Sequence, residues 1–70
     1  MKVIAKFECR AKDKTEYGTD LHFYAVTSGS QENDKFFAST PSGEVNIRTT
    51  FAVGDLFDVG QEYYLTFERA

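Results

Sequence analysis

Residues 2–10 read KVIAKFECR and carry an apolar side chain at every second position. Charged side chains fill most of the positions between them, and Ile4 is the exception. Side chains alternate between the two faces of a β-strand, so a period of two predicts a strand with one buried face. The residues expected to face the core are Val3, Ala5, Phe7 and Cys9.

The same alternation recurs in three further segments, which we expect to form strands. They are residues 21–27, 44–50 and 62–68. The residues expected on their core-facing sides are Leu21, Phe23, Ala25 and Thr27, then Val45, Ile47 and Thr49, and finally Tyr63, Leu65 and Phe67. Stretches that contain glycine or proline separate them, and these residue types favour the backbone angles of turns. The predicted turns lie at Gly18, at Thr40-Pro41-Ser42-Gly43 and at Val59-Gly60-Gln61.

Three segments lack a clear period. Residues 28–34 are polar and are expected to form a loop. Residues 35–39 fit either a short strand or one helical turn. Residues 51–58 fit an irregular connection or a single helical turn that plugs one end of the core. The expected number of strands is therefore four or five.

Short strands joined by glycine-containing turns are typical of small all-β domains. We predict that residues 1–70 form a single domain, an antiparallel β-barrel of about five strands, with an OB-like arrangement as the first choice. An SH3-like barrel and a small sandwich are the alternatives. Closure into a barrel would remove the exposed sheet edges that promote aggregation.

The composition of the 70 residues excludes several classes of protein. A single cysteine cannot form an internal disulfide, and one cysteine with one histidine cannot build a zinc site. No apolar run approaches the roughly 20 residues of a membrane helix. The first ten residues carry four charged side chains, which is unlike a signal peptide. We therefore expect a soluble, cytoplasmic protein without a cofactor.

Groups that could perform catalysis are sparse. Cys9 falls on the inward face of its predicted strand, so we interpret it as a small buried hydrophobe. His22 falls opposite the apolar face of its strand and is interpreted as a surface histidine. Two pairs of carboxylates offer too few oxygens for a calcium site, namely Asp13 with Glu16 and Asp55 with Asp58. With no glycine-rich phosphate loop either, the chain is not expected to be an enzyme.

Positive charge is concentrated at the start of the chain. The first 14 residues hold five cations against two acids, or +3, whereas the remaining residues hold three cations against nine acids, or −6. The five cations all have even numbers, so a single extended strand would place them along one outward stripe. They are Lys2, Lys6, Arg10, Lys12 and Lys14. Such a stripe can follow a phosphate backbone, and the alternative is an ordinary solvated strand face that protects an edge.

Several aromatic rings are expected outside the core. Tyr24 and Tyr64 fall on strand faces opposite the core, and Phe36 and Phe37 are adjacent, so in a strand one of them would point outward. Proteins that bind single strands stack bases on such rings. The candidate nucleic-acid-binding residues are therefore Lys6, Arg10, Lys12, Tyr24, Lys35, Phe36, Arg48 and Tyr64. The alternative is that these rings form a second small core beneath the loops.

An ordered set of short motifs runs along nearly the whole chain. It comprises Met1-Lys2-Val3, Ala5-Lys6-Phe7, Ser28-Gly29-Ser30, Glu32-Asn33, Phe36-Phe37, Thr40-Pro41-Ser42-Gly43, Phe57, Gly60, Glu62-Tyr63-Tyr64 and Phe67. This set resembles a group of small tailed-phage and marine viral proteins. The resemblance implies a compact β-protein of viral origin in the host cytoplasm, and it brings no activity or catalytic residue.

Three functional classes remain open. The first is a binding module for single-stranded DNA or RNA, which requires Lys6 and Arg10 to share a surface with Tyr24, Phe36 or Tyr64. The second is a structural or interaction protein, either a virion component or an oligomer that binds a host protein. The third is a small-molecule binder seated between subunits, which needs a pocket of convergent polar groups.

Overall fold

The computed structural model describes all 70 residues and contains four antiparallel β-strands and two short helices. In chain order they are β1 (Lys2–Lys14), β2 (Thr19–Ala25), α1 (Gln31–Phe36), β3 (Glu44–Thr49), α2 (Phe51–Gly54) and β4 (Glu62–Glu68). The strands form one curled sheet in the order β3-β2-β1-β4. Because the edge strands β3 and β4 do not pair with each other, the sheet is a half-barrel.

Most of the strands lie where the alternation predicted them. The bounds of β4 agree with the predicted segment, and β3 is one residue shorter. Strand β2 begins and ends two residues earlier than predicted, and β1 continues four residues beyond Arg10. The single helical turn offered for residues 51–58 is present as α2. The small all-β class is confirmed, with four strands rather than five. Neither helix has the length and apolar composition needed to cross a membrane.

The core lies on the concave face of the sheet, where the two central strands meet. Its six buried residues are Ala5, Phe7, Cys9, Leu21, Phe23 and Ala25. The predicted inward face of β1 is thus confirmed from Ala5 to Cys9, whereas Val3 is exposed. Phe57, which follows α2, packs edge-on against Phe23 with ring centroids 5.6 Å apart.

A β-bulge interrupts β1 at Arg10. Cys9 lies opposite Phe23 while Ala11 lies opposite His22, so β1 holds one residue more than β2 at this point. One extra residue reverses the faces of all later side chains. Lys12 therefore lies beside Leu21, a core residue, and the prediction of one basic stripe is wrong beyond Arg10. Alternation in the sequence could not reveal this reversal.

Helix α1 begins within residues 28–34, which were predicted to be a loop. That prediction is wrong for residues 31–34. Ser30 begins the helix, because its side-chain oxygen accepts a hydrogen bond from the main-chain N–H of Asn33 at 3.2 Å. The helix has only six residues, so its apolar period is too short to detect. It ends at Phe36, and the following Phe37 packs toward the core against Phe7.

The side chain of Asn33 takes the place of a missing strand. Strand β2 ends at Ala25, opposite Phe7. Asn33 then forms hydrogen bonds with the main chain of Lys6, the adjacent residue of β1. Its Oδ1 accepts from the main-chain N–H of Lys6 at 2.6 Å, and its Nδ2 donates to the main-chain oxygens of Lys6 and Val26, each at 2.8 Å. Asn33 is fully buried and thereby fixes α1 to the sheet.

Candidate interaction surfaces

The convex face of the sheet brings two cation–tyrosine pairs together. Lys6 lies opposite Tyr64 in the ladder between β1 and β4, and its Nζ is 5.6 Å from the ring centroid. The guanidinium of Arg10 lies 5.2 Å from the ring centroid of Tyr24. Cations at this distance from a ring are attracted by its electron-rich face. Four of the eight candidate nucleic-acid-binding residues therefore share one surface.

Carboxylates next to these two cations compete for them. The Nε of Arg10 is 2.9 Å from Glu8, and the Nζ of Lys6 lies 3.9 Å from Glu32 and 3.8 Å from Glu62. A phosphate would have to replace these partners or share the cations with them. The convex face is therefore a mixed-charge surface, which attracts polyanions less than the unpaired stripe expected from the sequence.

The remaining candidates lie outside this cluster. Arg48 is on the convex face but pairs with Asp20, four residues along β2 from Tyr24. The bulge turns Lys12 to the concave side, where its Nζ donates to the main-chain oxygen of Phe57 at 2.9 Å. Lys35 and Phe36 belong to α1.

Arg48 on β3 binds Asp20 through two hydrogen bonds, of 2.7 and 3.1 Å. These bonds hold the pKa of the Asp20 carboxyl below its usual value. The stabilising effect of this pair is therefore present above the ordinary pKa of an aspartate and is lost as the pH falls through the lowered value.

The two groups with catalytic potential are separated by the sheet. Cys9 is fully buried in the core, and burial raises the pKa of its thiol. His22 lies on the convex face, where its Nδ1 is 2.6 Å from Asn46 Oδ1 and its Nε2 is 3.8 Å from Asp13. A thiol that stays protonated and lies on the other face cannot be activated by this imidazole. No group of three or more His, Cys, Asp and Glu side chains is arranged to hold a metal ion.

The concave face carries an apolar cavity of about 140 Å³, which we call the concave groove. All eight residues that line it are hydrophobic, namely Phe7, Phe23, Val45, Ile47, Phe57, Tyr63, Tyr64 and Leu65. Tyr64 contributes to the lining between Tyr63 and Leu65, while its ring lies beside Lys6 on the convex face. The register explains the set, because Val45 and Ile47 lie opposite core residues of β2, and Leu65 lies opposite Ala5. The chain leaves part of this face uncovered, since Ile47 stays 43% exposed.

The molecule exposes more surface than a typical folded monomer of the same mass. It measures 38 × 28 × 16 Å and exposes 5031 Å². A folded monomer of 7.9 kDa exposes about 4,400 Å², so the excess is about 600 Å². The radius of gyration of 12.9 Å also exceeds the roughly 11 Å expected of 70 residues. An open half-barrel of this kind leaves part of its apolar face without cover.

Some features of these surfaces could not be found in the sequence. Alternation correctly turned Val45, Ile47 and Leu65 toward the core, but it could not show that the edge strands leave this face open. That outcome depends on strand order, which local patterns do not encode.

Comparisons with protein-family models, with curated proteins and with solved structures each find no match to the chain. A function must therefore be inferred from the surfaces of the chain itself.

Proposed function

We propose that the protein is a non-enzymatic interaction protein that associates with a second copy through the concave groove. The observation that carries this proposal is the apolar lining of a groove that the chain leaves open. Burial of apolar surface gains about 25 cal/mol for each Å² removed from water. An apolar lining of this kind favours contact with another apolar surface.

Symmetry supports a second copy as the occupant. Each partner in a stable complex of standard size buries roughly 800 Å², so a second copy would have to cover the surface around the groove as well as the groove itself. Two half-barrels that face each other would cover both grooves by the same contact, as two-fold symmetry requires. A small self-associating building block also suits a virion component, which is one form of the interaction-protein hypothesis.

The same proposal accounts for the predicted OB-like barrel, which a second copy would complete. Strands β3 and β4 are the outermost strands of the half-barrel, and each has one unpaired edge. A closed barrel needs a partner for each edge, and a second copy offers strands of the same kind and length. The predicted closure would then be a property of the assembly rather than of one chain.

Light scattering across a dilution series tests self-association. We expect the molar mass of the wild type to rise from 7.9 kDa toward twice that value, 15.8 kDa, with increasing concentration. Ile47→Glu places a charge in the groove and should keep the protein monomeric, because an unpaired charge is costly to bury at an interface. Ile47 is 43% exposed in the single chain, so the variant should still fold, as circular dichroism can verify.

Leu56→Glu is the matched control for this experiment. It makes the same change of charge at an aliphatic residue that is 74% exposed and does not line the groove. Its association should equal that of the wild type. A wild type whose mass stays at 7.9 kDa at every concentration would refute self-association.

Binding of single-stranded nucleic acid is the second candidate function. It is favoured by the two cation–tyrosine pairs on the convex face, where Tyr64 is 61% exposed and Tyr24 is 38% exposed. Stacking a base on a tyrosine gains about 1–3 kcal/mol. The neighbouring carboxylates and the net charge of −3 oppose it, so binding should be weak and confined to low salt.

An anisotropy titration with a labelled 15-mer of thymidine at low salt tests this candidate. Replacing Tyr24 and Tyr64 with alanine should weaken binding by about tenfold or more for each ring, from the loss of stacking. Tyr17→Ala is the control, because Arg48 lies 5.8 Å from the Tyr17 ring in the same kind of pair, away from this cluster. Absence of binding at low salt would exclude the candidate.

A further inference from the structure

A second cleft lies between the start of β1 and helix α1, and we call it the edge cleft. Its volume is about 490 Å³. The residues that line it are Lys2, Val3, Ile4, Gln31, Glu32, Lys35 and Phe36. None of them lines the concave groove, so the edge cleft is a separate surface.

One wall of the edge cleft is an unpaired strand edge. Strand β2 ends opposite Phe7, so the first residues of β1 are paired only with β4. The N–H and C=O of Lys6 point away from β4 and bond to Asn33 and Val26. Main-chain groups repeat their direction at every second residue, so those of Ile4 and Lys2 point the same way. None of the main-chain hydrogen bonds outside the helices and strands involves them, and the ladder with β4 uses the opposite edge of β1, so they remain open to another strand.

The side chains around the cleft favour a negatively charged ligand. Lys2 and Lys35 line it and take part in no ion pair, although the chain as a whole has a charge of −3. Glu32, the single acid in the lining, lies 3.9 Å from the Nζ of Lys6. Phe36 and Val3 are 37% and 40% exposed and offer apolar contact area between the charges.

We propose that the edge cleft binds an extended, acidic peptide segment of a partner protein. The segment would add a strand beside residues 2–5, hydrogen-bond to the open groups of Lys2 and Ile4, and place carboxylates near Lys2 and Lys35. Addition of a strand to an exposed edge is a common mode of peptide recognition, in which main-chain bonds give affinity and side chains give specificity. At about 3.3 Å per residue, four or five residues of peptide fill this edge. The site does not depend on self-association through the concave groove.

Fluorescence anisotropy with a labelled octapeptide that alternates valine and aspartate tests the proposal. A peptide of the same length that alternates valine and lysine is the charge control. We expect the acidic peptide to bind and the basic one not to bind. Reversal of both cleft charges, with Lys2→Glu and Lys35→Glu, should weaken binding by about tenfold or more. Lys14→Glu is the matched control, because Lys14 pairs with Asp55 outside the cleft, and it should change binding little.

A second variant tests the main-chain contacts. Ile4→Pro removes an N–H that has no partner in the chain, and edge strands tolerate proline at such positions. The variant should therefore remain folded by circular dichroism and lose peptide binding. If Ile4→Pro does not fold, the charge-reversal variants decide the matter. Equal binding of the acidic and basic peptides, no binding of the acidic peptide, or binding insensitive to Lys2 and Lys35 would each overturn the proposal.

Discussion

Replacing Asn33 with aspartate is expected to lower the free energy of unfolding by about 3 kcal/mol at pH 7. The new carboxylate can still accept from the N–H of Lys6, but it has no N–H to donate to the carbonyls of Lys6 and Val26. It would face those two carbonyl oxygens at 2.8 Å within a fully buried site. Small domains have a total stability of about 5–15 kcal/mol, so the loss is a large fraction of the whole.

Urea denaturation followed by circular dichroism measures this loss. Asn46→Asp is the matched control, because Asn46 lies on the exposed face of β3, and its substitution should change stability by less than about 0.5 kcal/mol. Asn33→Ala removes the side-chain hydrogen bonds without adding charge and should cost about 2–3 kcal/mol. Equal stabilities for Asn33→Asp and the wild type at pH 7 would show that the side chain does not fix α1 to the sheet.

The pH dependence of the Asn33→Asp variant provides a further check on the same contact. Burial against two carbonyl oxygens should raise the pKa of the introduced carboxyl in the folded state above the unfolded value of about 3.9. The folded state then binds the proton more tightly, and stability falls as the pH rises between the two values. The deficit relative to the wild type should therefore be smallest below about pH 4 and largest at neutral pH.

The strands were predictable because alternation is a local property of the sequence. The bounds of β4 and the inward direction of Phe7 and Leu21 follow from a period of two with no knowledge of the partner strands. The contact of Asn33 was not predictable, because its partner Lys6 lies 27 residues earlier in the chain. A polar residue in a polar stretch gives no local indication that it is buried.

The candidate site was predictable only in part for a related reason. Lys6, Tyr24 and Tyr64 share a face because each precedes the bulge or pairs with a residue that precedes it. Arg10 is the bulged residue itself, and its guanidinium lies 5.2 Å from the ring centroid of Tyr24. Lys12 lies beyond the bulge and is turned to the other side. The opposing carboxylates come from α1 and β4, and their approach to Lys6 depends on strand order and on the position of the helix. Because these acids are far from Lys6 in the sequence, local patterns reveal neither the strand order nor the position of the helix.

Replacing Gly54 with alanine is expected to destabilise the protein by about 2–3 kcal/mol, although helix propensity alone favours alanine by about 1 kcal/mol. A Cβ at position 54 would lie 2.5 Å from the Cβ of Thr19 and 2.7 Å from its Oγ1. Thr19 is fully buried in the second central strand, so it cannot move aside without disturbing the sheet. The close approach of α2 to β2 therefore decides the sign of the effect.

A double-mutant cycle with Thr19→Gly separates packing from helix propensity. In the Thr19→Gly background the obstructing atoms are absent, so Gly54→Ala should become neutral or stabilising, with a coupling energy of at least about 1 kcal/mol. Ala52→Gly, at an exposed position of the same helix, measures the propensity term by itself. Equal effects of Gly54→Ala in both backgrounds would show that α2 does not rest on Thr19. Phe57, which follows α2 and lines the concave groove, would then need another support for its position.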